Sequence, residues 1–442
     1  MQKLTYRLPV LSDIDYCRRI YYHILMEETL YIQNPWWTNR EFNIGIIRKQ
    51  SLDKLKNMAF NNKVTILLGG RRVGKTFLIY QYIHYLLEFG VKEKNILYLL
   101  LDTRAFEEIT IVNLLREYRK MHNLGIDEKI YVFLDEIQYK DSWEQEVKNL
   151  YDTEPNIQIV LSGSASFKIH TKTSFLTGRY KILYLYPLNY IEWIDIKGIK
   201  ILPSENYKYQ NKLNEYLFNG GYPEYVIKED PQYFPNLVDS IVYKDFVEYF
   251  NIKNLDIVKD LFKLLSDRTG SHTSLSKIGK ILSISKETVR EYIFALKESF
   301  SIYELQRYAY SRNKRIYFAK KYYLNDNGLQ FNQSGKFNKG QSAERSLFDY
   351  LYKKYPDSIY FYYDNKVEVD FILKFQEEIR LIESKYINNI SDFDPKSLLK
   401  AMKLLNVMDA IVVTESVEDE LVIDKKKIRF IPLWEVLVKQ LM

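Results

Sequence analysis

Cysteine is nearly missing from this sequence. One thiol, Cys17, in 442 residues excludes an intramolecular disulfide and a cysteine-ligated metal cluster. Long apolar runs are missing too: none approaches the roughly 18 residues of a membrane span, so no membrane contact is expected. The first residues do not show the basic, apolar and small-residue segments of a secretion signal, and a cytoplasmic location is the expectation. Glycine is scarce at 16 residues, and neither an internal repeat nor a low-complexity tract is present. Charge of one sign is not in great excess. With 64 basic against 57 acidic residues, net +7, the balance permits nucleic-acid contact without demanding it.

What is present is apolar: 46% of residues are hydrophobic and 15% aromatic. A chain this long exceeds a single core and suits two to four domains. Its glycines gather where they carry chemistry. Residues 69 to 76 read Gly-Gly-Arg-Arg-Val-Gly-Lys-Thr, a complete G-x-x-x-x-G-K-T phosphate-binding loop. It stands between a buried-strand pattern, Val64 to Leu68, and helical periodicity through Leu78, Tyr82 and Leu86. Gly69 and Gly74 let the backbone of Gly70, Arg71, Arg72 and Val73 turn its N–H groups toward phosphates, at the positive end of the helix that Phe77 opens. Lys75 is expected to reach the β- and γ-phosphates of ATP, and Thr76 to hold Mg²⁺.

The run Ile130 to Leu134 reads as a buried parallel strand ending in Asp135-Glu136. Asp135 is expected to bind Mg²⁺ through water, and Glu136 to orient and deprotonate the attacking water. A further strand, Ile157 to Leu161, runs into Ser162-Gly163-Ser164. A polar residue there, Ser162 or Ser164, can sense the γ-phosphate. Arg179, in Thr-Gly-Arg, is a candidate arginine finger or phosphate sensor, in cis or from a neighbouring copy in an oligomer.

Around this core the chain reads as five segments. Residues 1–60 form a helical lead-in containing Asn34-Pro35-Trp36-Trp37, whose tryptophans either cover the adenine or staple the lead-in to the core, the second being favoured. Residues 61–195 alternate strand and helix as a parallel α/β sheet does. A helical lid or linker, 196–254, includes Gly220-Gly221-Tyr222-Pro223.

Residues 255–332 read as a winged helix. Ser276 to Leu282 and Lys286 to Glu298 form two helices, and the strand-like runs Ile302 to Tyr308 and Ile316 to Leu324 flank the basic turn Ser311-Arg312-Asn313-Lys314-Arg315. That turn, 311–315, is the candidate DNA contact. The second helix sets Lys286, Arg290 and Lys297 against Glu287, Glu291 and Glu298. DNA and a protein partner both stay open.

Residues 333–442 carry a second candidate site. Glu368 and Asp370 share a face of one strand, and Glu383 and Lys385 a face of the next. A hairpin would join Asp370 and Glu383 as ligands for Mg²⁺ or Mn²⁺. Lys385 would then position a water or steady charge on a phosphate, with Glu344 as an outer carboxylate.

Taken together, the loop at 69–76, Leu-Asp-Glu-Ile-Gln (134–138), Leu-Ser-Gly-Ser (161–164), Leu-Thr-Gly-Arg (176–179), Gly-Gly-Tyr-Pro-Glu (220–224) and the late V-x-V-D…E-x-K give the chain a resemblance to archaeal and bacterial AAA-type ATPases. Those proteins carry a C-terminal domain related to the PD-(D/E)xK nucleases. The resemblance implies an additional-strand P-loop NTPase core, a winged helix and a restriction-endonuclease-like α/β domain. Asp370, Glu383 and Lys385 then stand in the catalytic positions. Val369 replaces the family's proline, and serine replaces the asparagine that many related ATPases carry as sensor.

Overall fold

A computed structural model describes residues 24–60, 64–164, 176–247, 250, 252, 254–309, 311, 315, 318–364 and 367–441. Cys17 and residues 312–314 of the expected wing lie outside the described residues. The chain divides into two compact units, the first ending at Leu185 and the second beginning at Tyr186 and including Gly70–Val73.

The first unit is built on five strands: β1 (Val64–Leu68), β2 (Ile96–Leu100), β3 (Ile130–Asp135), β4 (Ile157–Gly163) and β5 (Tyr180–Tyr184). Their order is β2-β3-β4-β1-β5, and every pair is parallel. Strands β1 and β4 are buried throughout, which is why they read as unbroken apolar runs: helices cover both faces of such a sheet. Because all strands point one way, the segments after β1, β3 and β4 emerge at one edge, where such folds bind ligands. The helix Lys75–Glu88 buries Leu78, Ile79, Tyr82, Ile83 and Leu86.

Strand β2 ends the sheet, and side chains from the lead-in satisfy its outer backbone groups. The Asn34 amide accepts from Tyr98 N at 2.7 Å and donates to Tyr98 O at 3.0 Å. Gln33 accepts from Leu100 N at 2.8 Å, and the indoles of Trp36 and Trp37 donate to Ile96 O at 3.2 and 2.8 Å. A carboxamide offers the same donor and acceptor as a neighbouring strand, so the edge is closed without one. The tryptophans are staples, at the end of β2 remote from the loop edge.

The second unit begins with the helices Tyr190–Ile196, Tyr207–Asn219, Pro223–Lys228 and Tyr233–Ser240. The Gly-Gly turn has a structural cause. Gly220 has φ +73°, and a Cβ there would lie 2.2 Å from an Asp326 carboxylate oxygen; Asp326 in turn accepts from Gly221 N at 2.6 Å. Next come the helix Leu255–Asp267, β6 (His272–Thr273), the helices Leu275–Leu282 and Lys286–Glu298, β7 (Ile302–Leu305) and β8 (Lys320–Leu324). These strands form an antiparallel sheet in the order β6-β8-β7. Ser274 and Ser285 cap the two helices by accepting from Lys277 N and Thr288 N.

After the helices Asn327–Ser334 and Lys339–Lys354 comes a six-stranded sheet of β9 (Ile359–Tyr363), β10 (Glu368–Phe375), β11 (Glu378–Ser384), β12 (Asp409–Thr414), β13 (Asp419–Ile423) and β14 (Lys426–Pro432). Its order is β13-β14-β12-β11-β10-β9. The two sheets share one core: Tyr303, Leu305 and Tyr323 pack with Leu347, Phe348, Phe371 and Leu373. The chain beyond β7 also pairs with the β9 edge, Tyr308 N donating to Phe361 O at 2.7 Å and Phe361 N to Gln306 O at 3.0 Å.

Candidate functional site

Leu68 ends β1 and Lys75 begins the following helix, with Gly74 at its N-cap in the left-handed region at φ +96°. A Cβ at Gly74 would meet nothing within 4 Å, and Gly74 makes no side-chain cap at the helix N-terminus. Open space at Gly74 thus lies at the positive end of this helix, a place that suits a phosphate chain. Lys75 is 5% exposed and donates to Gly69 O at 3.0 Å. Within the second unit, Arg71 pairs with buried Asp245 at 2.7 Å and the Arg72 guanidinium lies 5.6 Å from the Tyr233 ring centre, while Val73 is buried. The ring of Phe77 rests on Gly45, where an added Cβ would come within 2.9 Å of it.

Thr76 Oγ1 donates to Asp135 Oδ2 at 2.6 Å, joining the loop to the acidic end of β3. Tyr98 donates to the same oxygen at 2.8 Å, and Ser162 donates to Asp135 Oδ1. Burial and then the neighbouring Glu136 charge push the Asp135 carboxyl above its usual range, while the donors Ser162, Thr76 and Tyr98 oppose the shift. Glu136 has φ +56°, a region uncommon for a non-glycine residue. Gln138 Nε2 donates to its carboxylate, and Ser164 Oγ does so at 3.3 Å. Of the two candidate serines, Ser162 thus lies on Asp135 and Ser164 beside Glu136.

These residues fit Mg²⁺ and a nucleoside triphosphate. Lys75 and the loop N–H groups would hold phosphate oxygens, Thr76 and Asp135 the metal shell, and Glu136 the water; the bound Mg²⁺ would supply charge neutralisation. Three contributors were not legible as site residues. Tyr98 lies in the alternating strands and helices of 61–195 with no role marked by its sequence, Gln138 in a motif that serves only as a family mark, and Gln81 on a helix face. Gln81 accepts from Arg48 N at 3.1 Å and donates to Ile44 O and Ile46 O at 3.0 and 2.9 Å. It thereby straps the lead-in along the helix of the loop, with Ile46 and Ile47 about half exposed.

Arg179 stands apart from these residues. Its carbonyl accepts from Val64 N at 3.0 Å, so it lies at the start of β1 and β5, the end of the sheet opposite the loop. Its guanidinium pairs with Asp152 at 2.9 Å.

In the second unit, β10 and β11 form an antiparallel hairpin in which Phe371 faces Ile382, which brings Asp370 beside Glu383. Glu383 Oε2 accepts from Asp370 N at 3.1 Å, and Lys385 Nζ lies 2.9 Å from Glu383 Oε1. Burial and the Asp370 charge push the Glu383 carboxyl up to about 8. A divalent ion, which the nuclease resemblance implies, does not fit this arrangement. Lys321 Nζ stands 3.1 Å from Asp370, 3.0 Å from Glu368 and 3.6 Å from Glu344, so a cation already lies among these carboxylates. In the expected wing, Arg315 donates to Ala309 O at 2.6 Å and lies 4.8 Å from the Tyr360 ring centre. It is engaged with the protein rather than extended for a phosphate.

The loop, the Thr76–Asp135 pair and the parallel sheet define a P-loop ATPase domain. A family model described as an AAA domain matches residues 61–194; two others, both domains of unknown function (DUF8612 and DUF4143), match residues 210–339 and 339–436. An uncharacterized protein of Haemophilus influenzae is 26% identical over 88% of this chain and 98% of its own. Another, from Methanocaldococcus jannaschii, is 28% identical over 85% of this chain and 88% of its own. Among solved structures, the Walker-type ATPase of Pyrococcus abyssi is similar, with TM-score 0.41 and 16% identity over 65% of this chain and 96% of that one. No helix among the described residues is long and apolar enough to cross a membrane.

Proposed function

We propose that this chain is a Mg²⁺-dependent ATP hydrolase whose nucleotide state governs a DNA-directed second unit. The observation that carries the reading is the hydrogen bond from Thr76 to Asp135, which sets two metal-shell groups side by side at the end of a phosphate-binding loop. Catalysis of phosphoryl transfer is mainly positioning and charge stabilisation. Here Lys75 and the backbone donors position, Glu136 accepts the proton of the attacking water, and Gln138 with Ser164 fix where that carboxylate stands. The adenine would rest on the strap 44–48 and Phe77, whose exposed Ile46 and Ile47 suit a flat apolar ring. An arginine finger from Arg179 is open only to a neighbouring copy. Lys75→Ala is expected to abolish binding of a fluorescent ATP analogue; unchanged binding would refute the assignment of the loop.

The segment 255–332 is read as a winged helix, supported by its order of helix, strand, helix, helix and two strands. Residues 333–442 are read as a restriction-endonuclease-like domain, supported by the Asp370–Glu383 hairpin. Cleavage of DNA at Asp370, Glu383 and Lys385 is what the resemblance implies. The second reading, a nucleotide switch whose nuclease-like domain binds a partner without cutting, is favoured by Lys321 standing among the carboxylates. Incubating single-stranded and duplex DNA with ATP and Mn²⁺ separates the two: cleavage lost in Asp370→Ala supports a nuclease, and its absence in both proteins supports the switch.

A further inference from the structure

Lys321 is 1% exposed, yet its strand, β8, belongs to the three-stranded sheet, while Glu368, Asp370 and Glu383 lie on the six-stranded one. Burying an ammonium ion costs several kcal/mol unless opposite charge surrounds it closely, so its placement among these carboxylates is built by the fold. We infer that Lys321 is the resident cation of this cluster, replacing a divalent ion, and that β8 thereby keeps the Asp370–Glu383 pair closed to metals.

Every oxygen of that pair is already engaged. Asp370 Oδ1 accepts from Lys321 at 3.1 Å and Oδ2 from Ser384 N at 3.0 Å. Glu383 Oε1 meets Lys385 at 2.9 Å and Oε2 accepts from Asp370 N at 3.1 Å. A divalent ion bound to Asp370 would sit about 2.0–2.6 Å from its oxygen, against an ammonium already 3.1 Å from Oδ1, and like charges at such spacing repel strongly.

The strand that supplies the lysine is itself fixed. Tyr323, two residues on and on the same face, donates to Glu344 Oε1 at 2.7 Å and stacks on Phe348 with ring centres 4.0 Å apart. The turn before β6 also packs against the cluster. Gly270 has φ +76°, and a Cβ there would lie 2.5 Å from Glu344 Oε1; His272 Nδ1 stands 3.7 Å from Glu368. The three-stranded sheet thus covers the cluster with one cation and several close contacts. This inference is independent of the nucleotide reading.

The test is Mn²⁺ binding to the full chain without nucleotide, followed by electron paramagnetic resonance, in the native protein, Asp370→Asn, Lys321→Met and the Lys321→Met/Asp370→Asn double variant. The native protein and Asp370→Asn are expected to bind Mn²⁺ alike. Lys321→Met is expected to gain one equivalent of Mn²⁺ and a Mn²⁺-dependent rise in unfolding temperature, both lost in the double variant. An equivalent lost from the native protein on Asp370→Asn would overturn the inference, as would a folded Lys321→Met that gains none. If Lys321→Met does not fold, the first comparison decides: equal binding supports the inference, and a difference overturns it.

Discussion

The hydroxyl of Thr76 donates to the carboxylate of Asp135 across 2.6 Å, uniting the end of the phosphate loop with the end of a strand two positions away in the sheet. β4 lies between those strands, so the contact exists only because the parallel register delivers β1 and β3 to the same edge.

That pair sets the first prediction. Thr76→Ala removes one group from the metal shell and leaves Asp135 with one donor fewer. The Mg²⁺ concentration for half-maximal ATP turnover is expected to rise by about tenfold, equivalent to about 1.4 kcal/mol, and a titration of rate against Mg²⁺ reads this directly. An unchanged requirement would remove Thr76 from the metal shell.

The closed edge of β2 sets the second. Asn34 is fully buried and satisfies both backbone groups of Tyr98. Asn34→Ala strands those groups, at a cost of about 2 kcal/mol. Thermal unfolding of the first unit is expected to begin roughly 4–8 °C lower; an unaltered transition would show that the amide contributes nothing.

A pH dependence follows from His122, whose ring lies 4.3 Å from that of Trp37. Burial first, and Lys94 second, lower its pKa from the usual 6.5. The unfolded chain takes up a proton as pH falls through about 6.5 while the folded one resists, so this contribution is present above that pH and lost below it. Stability is expected to decline from about pH 7 to pH 5, less steeply in His122→Phe. Parallel profiles would exclude His122 as the cause.

The parts of the fold legible in the sequence are those set by local pattern. Val64 to Leu68 and Ile130 to Leu134 are short apolar runs of the kind a covered parallel strand carries, and alternation puts Glu368 with Asp370 on one face of β10 and Glu383 with Lys385 on one face of β11. Long-range partners left no such trace. Lys321 is one of 64 basic residues and follows another lysine, so only the tertiary packing of β8 against β10 distinguishes it. The place of Arg179 left no trace either: the direction of β5 sets it at the end of the sheet opposite the loop. Trp36 and Trp37 were recognisable as anchors, whereas the use of Gln33 and Asn34 as surrogate backbone depends on which strand lies at the edge.

The most direct test of the central claim is ATP turnover by Glu136→Gln, measured beside equilibrium binding of ATP in Mg²⁺. The isosteric amide keeps the hydrogen-bonding shape around Gln138 and Ser164 but cannot accept the water's proton. The account predicts that the native protein hydrolyses ATP and that the variant binds it with similar affinity while turning it over about a hundredfold more slowly. Equal turnover by both proteins, or no ATP binding by the native one, would contradict it.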